Sequence, residues 1–187
     1  GVLALGALVL AAWLFLPQII STFTPTPAVV VDAQGSEALR QLSLLEVAPT
    51  GAQGDAPPYA RSQFGDGWAD LNGDNCNTRN EILARDLDEV VYRPGTNDCV
   101  VESGVLNDPY TAQQIEFVRG PESSQAVQID HVVALGDAWR AGAWQWDAQQ
   151  RLVFANDPLN LLAVDGPANQ EKSDLTAGGW LPSNEEF

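Results

Sequence analysis

The chemistry in this sequence centres on a single histidine. His131 is the only histidine among 187 residues, and it follows Asp130 directly in the apolar stretch VQIDHVVAL. An imidazole with an ordinary pKa of about 6.5 is the side chain best suited to take a proton from water near neutral pH. The neighbouring carboxylate offers oxygen ligands for a hard divalent cation. Such a pair has the chemistry that a hydrolytic site would need, and a polar pair at a strand edge is the alternative.

Two asparagines follow in the segment LNLLAVDGPANQEKSD, at positions 160 and 169. The apolar letters of this segment predict a second short strand, and the DG at 165–166 indicates a turn. Pro167 then suits the first turn of a helix, because proline needs no backbone N–H partner there. The predicted order is strand, connection, strand, turn and helix.

This order, with Asp130 and His131 on the first strand, Asn160 on the second and Asn169 on the helix, resembles the HNH or ββα-metal endonucleases. Together with CNTRNEILARDL, it is similar to an exported bacterial branch related to the C-terminal nuclease domain of GmrSD restriction enzymes. The resemblance spans about residues 59–187. It implies an α+β fold, in which a ββα-metal finger is embedded in a small disulfide-bonded domain. It also implies a metal-dependent endonuclease that hydrolyses phosphodiester bonds, with DNA as the predicted substrate and RNA as the alternative.

The resemblance gives each polar residue a role. His131 would be the general base, and Asn160 would support it through hydrogen bonds. Asp130 and Asn169 would bind one divalent metal, Mg²⁺ or Mn²⁺, because oxygen donors suit these hard ions. The ion would stabilise negative charge on the phosphate. Since neighbouring strand residues point to opposite faces, the strand must bend or end at the Asp-His pair for both side chains to reach one site.

Two basic residues are candidates for contacts with substrate phosphates. Lys172 lies three residues after Asn169 and would share its helix face; a solvated surface lysine is the alternative. Arg79, in CNTRN, matches a position typical of the resembled family.

The net charge of the chain does not favour nucleic-acid binding. Nine Lys and Arg face 25 Asp and Glu, which gives a formal charge of −16, whereas proteins that bind nucleic acid usually carry basic stripes. The charge favours a rival function, a non-catalytic acidic extracellular module that binds calcium or a wall component.

The N-terminal residues predict export. Residues 1–23 contain no charged side chain and begin with an apolar run near the ~20 residues that cross a bilayer as a helix. A transmembrane anchor and a cleaved signal peptide fit equally well. Both place the remainder outside the cytoplasm, membrane-anchored or secreted, where Cys76 and Cys99 can pair as a disulfide. Two unrelated thiols are the alternative, and the sequence indicates no protein partner.

Composition divides the remainder of the chain. Residues 24–58 are rich in Pro, Gly, Ala and Thr, which is typical of a linker. Within them SEALRQLSLLEV predicts a short amphipathic helix capped by Ser36. Residues 59–187 predict one globular nuclease domain, and we expect its C-terminal part to continue beyond Phe187.

The acidic segment DLNGDNCNTRNE has the spacing of a calcium loop, in which positions one, three, five and twelve supply oxygen ligands: Asp70, Asn72, Asp74 and Glu81. Asn75 replaces the usual turn glycine and tolerates the left-handed conformation better than most residues. An acidic turn held by Cys76 is the alternative, because the preceding FGDGWA is a poor helix. Bound calcium would have a structural role.

Overall fold

The structure, a computed structural model, describes three stretches of the chain: residues 33–44, 56–121 and 123–187. The chain divides into two units, residues 1–47 and 48–187, and each is described by itself.

The first unit contributes one described helix, α1 (Ala33–Leu44). A helix is therefore present over the predicted segment, but it begins at Ala33, so Ser36 lies inside it and not at its N-terminus. The predicted apolar helix of residues 1–23 falls outside the described residues. Within the part of the chain that the structure describes, no helix is both long and apolar enough to span a membrane.

The second unit combines helices with antiparallel strands, which confirms the predicted α+β class. Its elements follow in this order: α2 (Thr78–Asp86), β1 (Leu87–Tyr92), β2 (Val101–Asn107), β3 (Gln114–Val118), β4 (Val127–His131), α3 (Leu135–Arg140), α4 (Ala148–Ala155), β5 (Leu161–Asp165) and α5 (Gly166–Lys172). Short 3-10 turns include Arg61–Phe64 and Pro158–Asn160.

The strands form two sheets. β1, β2 and β3 make a three-stranded antiparallel sheet in that order, and β4 pairs with β5 in a separate two-stranded antiparallel sheet. In this second sheet, Val127 lies opposite Asp165 and His131 lies opposite Leu161. Apolar side chains from α2 and from both sheets meet in one core, which includes Ile82, Leu83, Phe117, Ile129 and Leu161. β4 contributes Val127 and Ile129 to this core, which positions the strand that ends at His131.

Helix α5 follows β5 without a loop, which gives the predicted strand, strand and helix order. The Asp165 carboxylate caps the helix by accepting the Ala168 N–H at 2.8 Å. Pro167 lies in the first turn, as predicted. A Cβ on Gly166 would come within 2.0 Å of the Gln125 carbonyl oxygen, so this close approach of two backbones requires glycine.

The segment between β4 and β5 forms α3 and α4 around a second apolar core, made of Phe64, Leu135, Ala138, Trp139, Ala143 and Ala155. The order predicted from the sequence contains only a connection here and does not include α4. Helix α4 begins with a capping box, in which Asp147 and Gln150 each bind the other's backbone N–H. The last residue of α4 reaches the histidine, as described below.

A disulfide joins Cys76 to Cys99, whose Cα atoms lie 5.4 Å apart. This confirms the predicted pairing. The bond connects the segment before α2 to the loop between β1 and β2, so it fixes the acidic loop to the three-stranded sheet.

Candidate active site

His131 is the last residue of β4, and only 6% of its surface is exposed. Its Nε2 lies 2.8 Å from the carbonyl oxygen of Ala155, at the end of α4. A carbonyl oxygen only accepts hydrogen bonds, so Nε2 must carry the proton and donate it. The neutral imidazole is therefore held in the tautomer whose Nδ1 has a free lone pair.

The Nδ1 atom has no hydrogen-bond partner among the described residues, and it is not fully buried. Every buried side-chain nitrogen and oxygen of the described residues has a hydrogen-bond partner, and the contact to Ala155 uses only Nε2. His131 lines a cavity of about 510 Å³, together with Arg61, Gln128, Asp130, Asn169 and Asp174. On one face the imidazole stacks on Trp68, with ring centroids 5.6 Å apart and planes at 7°. The ring is therefore fixed in orientation, and its lone pair remains accessible to water.

Burial lowers the pKa of His131 below its ordinary value of 6.5. The positive charges of Arg61 and Lys172 also lower it, while the hydrogen bond to Ala155 and the charge of Asp130 oppose this change. The imidazole is consequently neutral at neutral pH and can accept a proton.

Asp130 points to the other face of β4 and is 4% exposed. Both of its carboxylate oxygens lie 3.0 Å from the Lys172 ammonium. The Tyr110 hydroxyl also donates to Oδ2 at 2.5 Å. Burial and this bond to a carboxylate raise the pKa of Tyr110. Asp130 and His131 thus keep the alternation of a regular strand, and β4 ends at the histidine.

Lys172 is 4% exposed and also donates to the backbone carbonyl of His131 at 2.9 Å. It is therefore not the solvated surface lysine that the sequence left open. Its ammonium faces Asp130, so a contact with a substrate phosphate would require it to leave this buried pair. The phosphate role of Lys172 stays a prediction.

The predicted metal ligands, Asp130 and Asn169, already have partners in this arrangement. Asp130 and Asn169 line the same cavity, and their oxygens suit Mg²⁺ or Mn²⁺ chemically. However, both oxygens of Asp130 already contact an ammonium, which would repel a cation placed beside them. Asn169 donates through Nδ2 to Gln128 Oε1 at 2.9 Å. Within the described stretches, no three His, Cys, Asp or Glu side chains converge to hold a metal. As arranged, these residues do not fit a divalent cation.

Asn160 lies in the 3-10 turn just before β5, not on the strand as predicted. Its Oδ1 accepts the Val133 N–H at 2.8 Å, and its Nδ2 donates to the Val133 carbonyl at 3.1 Å. Its own carbonyl accepts the Val132 N–H at 2.9 Å. One asparagine therefore fixes the two residues that follow the histidine.

We expect Asn160→Ala to lower the free energy of unfolding by about 1–3 kcal/mol, because both backbone groups of Val133 lose their partner. Urea denaturation measures this change. The matched control is Leu159→Ala at the adjacent position, which is 94% exposed and should leave the stability nearly unchanged. Equal stability of the two variants would contradict a supporting role for Asn160.

The structure separates Arg79 from the cavity and brings in a residue that the sequence analysis missed. Arg79 is half-buried on α2, where burial and the charge of Arg119 lower its pKa. Arg61, from the short turn near the start of the unit, lines the cavity with His131. No motif marks Arg61, because the spacing between positions 61 and 131 carries no signal in the sequence.

The acidic loop closes on its own backbone. Asp70 accepts the N–H groups of Gly73 and Asn75, and Asp74 accepts that of Cys76. The backbone of Asn75 is left-handed, with φ 68°. Asn72 donates to Glu81 at 2.7 Å. These contacts favour the alternative, an acidic turn held by Cys76, and calcium binding stays a prediction.

Residues 77–187 match the family model of the C-terminal domain of GmrSD restriction endonucleases. The match covers more than half of the chain and includes β4, β5 and α5, so the chain belongs to this family of nuclease-type domains. The predicted family resemblance is thus confirmed.

A relative from Arthroderma benhamiae, described as an uncharacterized secreted protein, is 35% identical over 170 residues. The aligned region covers 87% of this chain and 73% of that protein. No solved structure matches the chain significantly.

Proposed function

We propose that this chain is an extracytoplasmic endonuclease that hydrolyses phosphodiester bonds of DNA, with His131 as its general base. The observation that carries the proposal is the bond from Nε2–H to the Ala155 carbonyl, because it leaves the Nδ1 lone pair free on a histidine that lines the cavity. Membership of a family named for restriction endonucleases supports the reaction class.

In the proposed reaction, Nδ1 of His131 takes a proton from a water molecule, and the water oxygen attacks the phosphorus. A new P–O bond forms, the ester P–O bond breaks, and the leaving oxygen takes a proton from solvent. Trp68 and the Ala155 carbonyl hold the imidazole in place during the transfer. Asn160 fixes the backbone beyond the histidine, so the ring cannot shift with its loop.

Dependence on Mg²⁺ or Mn²⁺ is a separate part of the proposal. Asp130 and Asn169 remain the proposed ligands, but an ion at Asp130 must first displace Lys172 from at least one carboxylate oxygen. No step of the reaction above is therefore assigned to a metal. Cleavage with each ion and with EDTA tests this dependence directly.

The location outside the cytoplasm rests on two observations. The two cysteines are joined as a disulfide, which persists in oxidising compartments. The relative from Arthroderma benhamiae is described as secreted. Whether residues 1–23 anchor the chain or are cleaved is tested by the N-terminal sequence of the exported protein.

Plasmid cleavage tests the proposed function. The exported, folded protein is incubated with supercoiled plasmid and, in parallel, with single-stranded RNA, each with Mg²⁺, Mn²⁺ or EDTA. We expect nicked and linear plasmid, and slower loss of RNA. The absence of cleavage in every condition would favour the rival, an acidic extracellular module without catalysis.

The pH dependence of kcat/KM should report the buried histidine. Because burial lowers the pKa of His131, the imidazole stays unprotonated at pH values where an exposed histidine already binds a proton. We therefore expect activity to persist as the pH falls through 6.5. Activity should be lost only when the pH falls through the lowered pKa of His131 in the folded protein. Rates measured across the acidic and neutral range check this. An acid limb centred above 6.5 would contradict it.

A further inference from the structure

The cavity differs in charge from the whole molecule. Of the acids that line it, Asp130 is paired with Lys172, and Asp174 is paired with Arg140. In the second pair the guanidinium lies 2.5 Å from a carboxylate oxygen and 2.9 Å from the Asp174 carbonyl. Both carboxylates are thus neutralised locally, even though the chain carries −16 overall.

Arg61 is a cation at the cavity that is not neutralised by either of these pairs. It is exposed, it lines the cavity, and it takes part in none of the ion pairs among the described residues. Its turn is anchored by Phe64, which is buried in the second apolar core. Arg61 and His131 line the same cavity. The guanidinium and the group that would accept the proton therefore belong to one site.

We propose that Arg61 binds the scissile phosphodiester and places it against Nδ1 of His131. This inference rests on the proposed function and names the group that holds its substrate. A guanidinium is planar and donates two parallel hydrogen bonds to phosphate oxygens. A lone positive charge in a concave site also attracts phosphate locally where the rest of the surface repels it. Arg61 lies outside residues 77–187, so the family match does not include it.

A contact between Arg61 and a phosphate should not contribute to sequence specificity. Phosphates are the same in every sequence, so a phosphate contact positions the substrate without selecting bases. Loss of Arg61 should therefore weaken the cleavage of different DNA sequences to the same extent.

The test compares Arg61→Ala and Arg61→Lys with a matched control, Arg93→Ala. Arg93 is exposed, pairs with Glu102 at 2.8 Å and does not line the cavity. Its replacement by alanine changes the net charge of the chain by the same amount as Arg61→Ala. We expect Arg61→Ala to lower kcat/KM on DNA by about 10- to 100-fold, the range for a lost hydrogen bond between charged groups. Arg61→Lys should lose less, because its point charge remains. Arg93→Ala should match the parent.

Binding provides a second readout. In the His131→Ala background, which can bind but not cut, Arg61→Ala should weaken the affinity for a short DNA duplex and Arg93→Ala should not. If both substitutions have the same effect on cleavage and on binding, the assignment of Arg61 is overturned and the nuclease proposal stands. If the parent cleaves neither DNA nor RNA, the proposed function falls, and this inference falls with it.

Discussion

We expect His131→Ala to slow DNA cleavage by about 10²- to 10⁴-fold, the contribution typical of a positioned general base. The hydrogen bond to Ala155 fixes the tautomer whose Nδ1 can accept a proton. The chain contains no other imidazole that could replace it. The measurement is the initial rate of plasmid nicking at saturating DNA. Binding of DNA should be nearly unchanged, since the substitution removes a proton acceptor and leaves Arg61 in place.

A second substitution separates proton transfer from positioning. The amide of His131→Gln can still donate to the Ala155 carbonyl, but it does not act as a base at neutral pH. We expect it to be as slow as His131→Ala and closer to the parent in stability. Circular dichroism confirms that each variant is folded. Near-parental cleavage by either folded variant would exclude His131 as the base.

The second large effect concerns the buried pair behind the histidine. We expect Lys172→Met to lower the free energy of unfolding by about 3–5 kcal/mol, because it leaves the buried Asp130 carboxylate without its counter-ion. Urea denaturation at neutral pH measures this loss. The double variant Asp130→Asn with Lys172→Met should recover part of it, because no uncompensated charge remains.

The matched control is Arg140→Met, at the exposed pair with Asp174. The side chains of that pair are 40% and 50% exposed, and such surface pairs contribute about 0–1 kcal/mol. If Lys172→Met and Arg140→Met were equally stable, the ammonium of Lys172 would not be the partner of Asp130. The double variant keeps this comparison possible if Lys172→Met alone does not fold.

The parts of the fold that the sequence predicted have local signals. β4 and β5 are short apolar runs, and α5 begins with Asp165 as its cap and Pro167 in its first turn. The disulfide between Cys76 and Cys99 followed from predicted export. Helix α4 also has a local signal, the Asp147 and Gln150 capping box, but the predicted order treats this segment only as a connection.

The contacts that define the site have no such signal. Three features of the site depend on how distant elements pack against one another. These are the contact of the Ala155 carbonyl with Nε2, the burial of Lys172 against Asp130, and the position of Arg61 at the cavity. Lysine is mostly exposed in proteins, so nothing in the sequence indicated that Lys172 would be buried. The sequence motif indicated that Asp130, His131 and Asn169 belong to one site. The atoms that contact one another there are determined by tertiary packing.

The distances along the chain between these partners also set the order in which the site can form. Lys172 follows Asp130 by 42 residues, and Ala155 follows His131 by 24. Contacts between remote residues form late, because closing a long loop costs entropy first. A chain emerging from the ribosome therefore presents Arg61 and the histidine before the helices that orient them exist. With the proposed activity, a nascent or unfolded chain would be harmless to the nucleic acids of the cell that makes it.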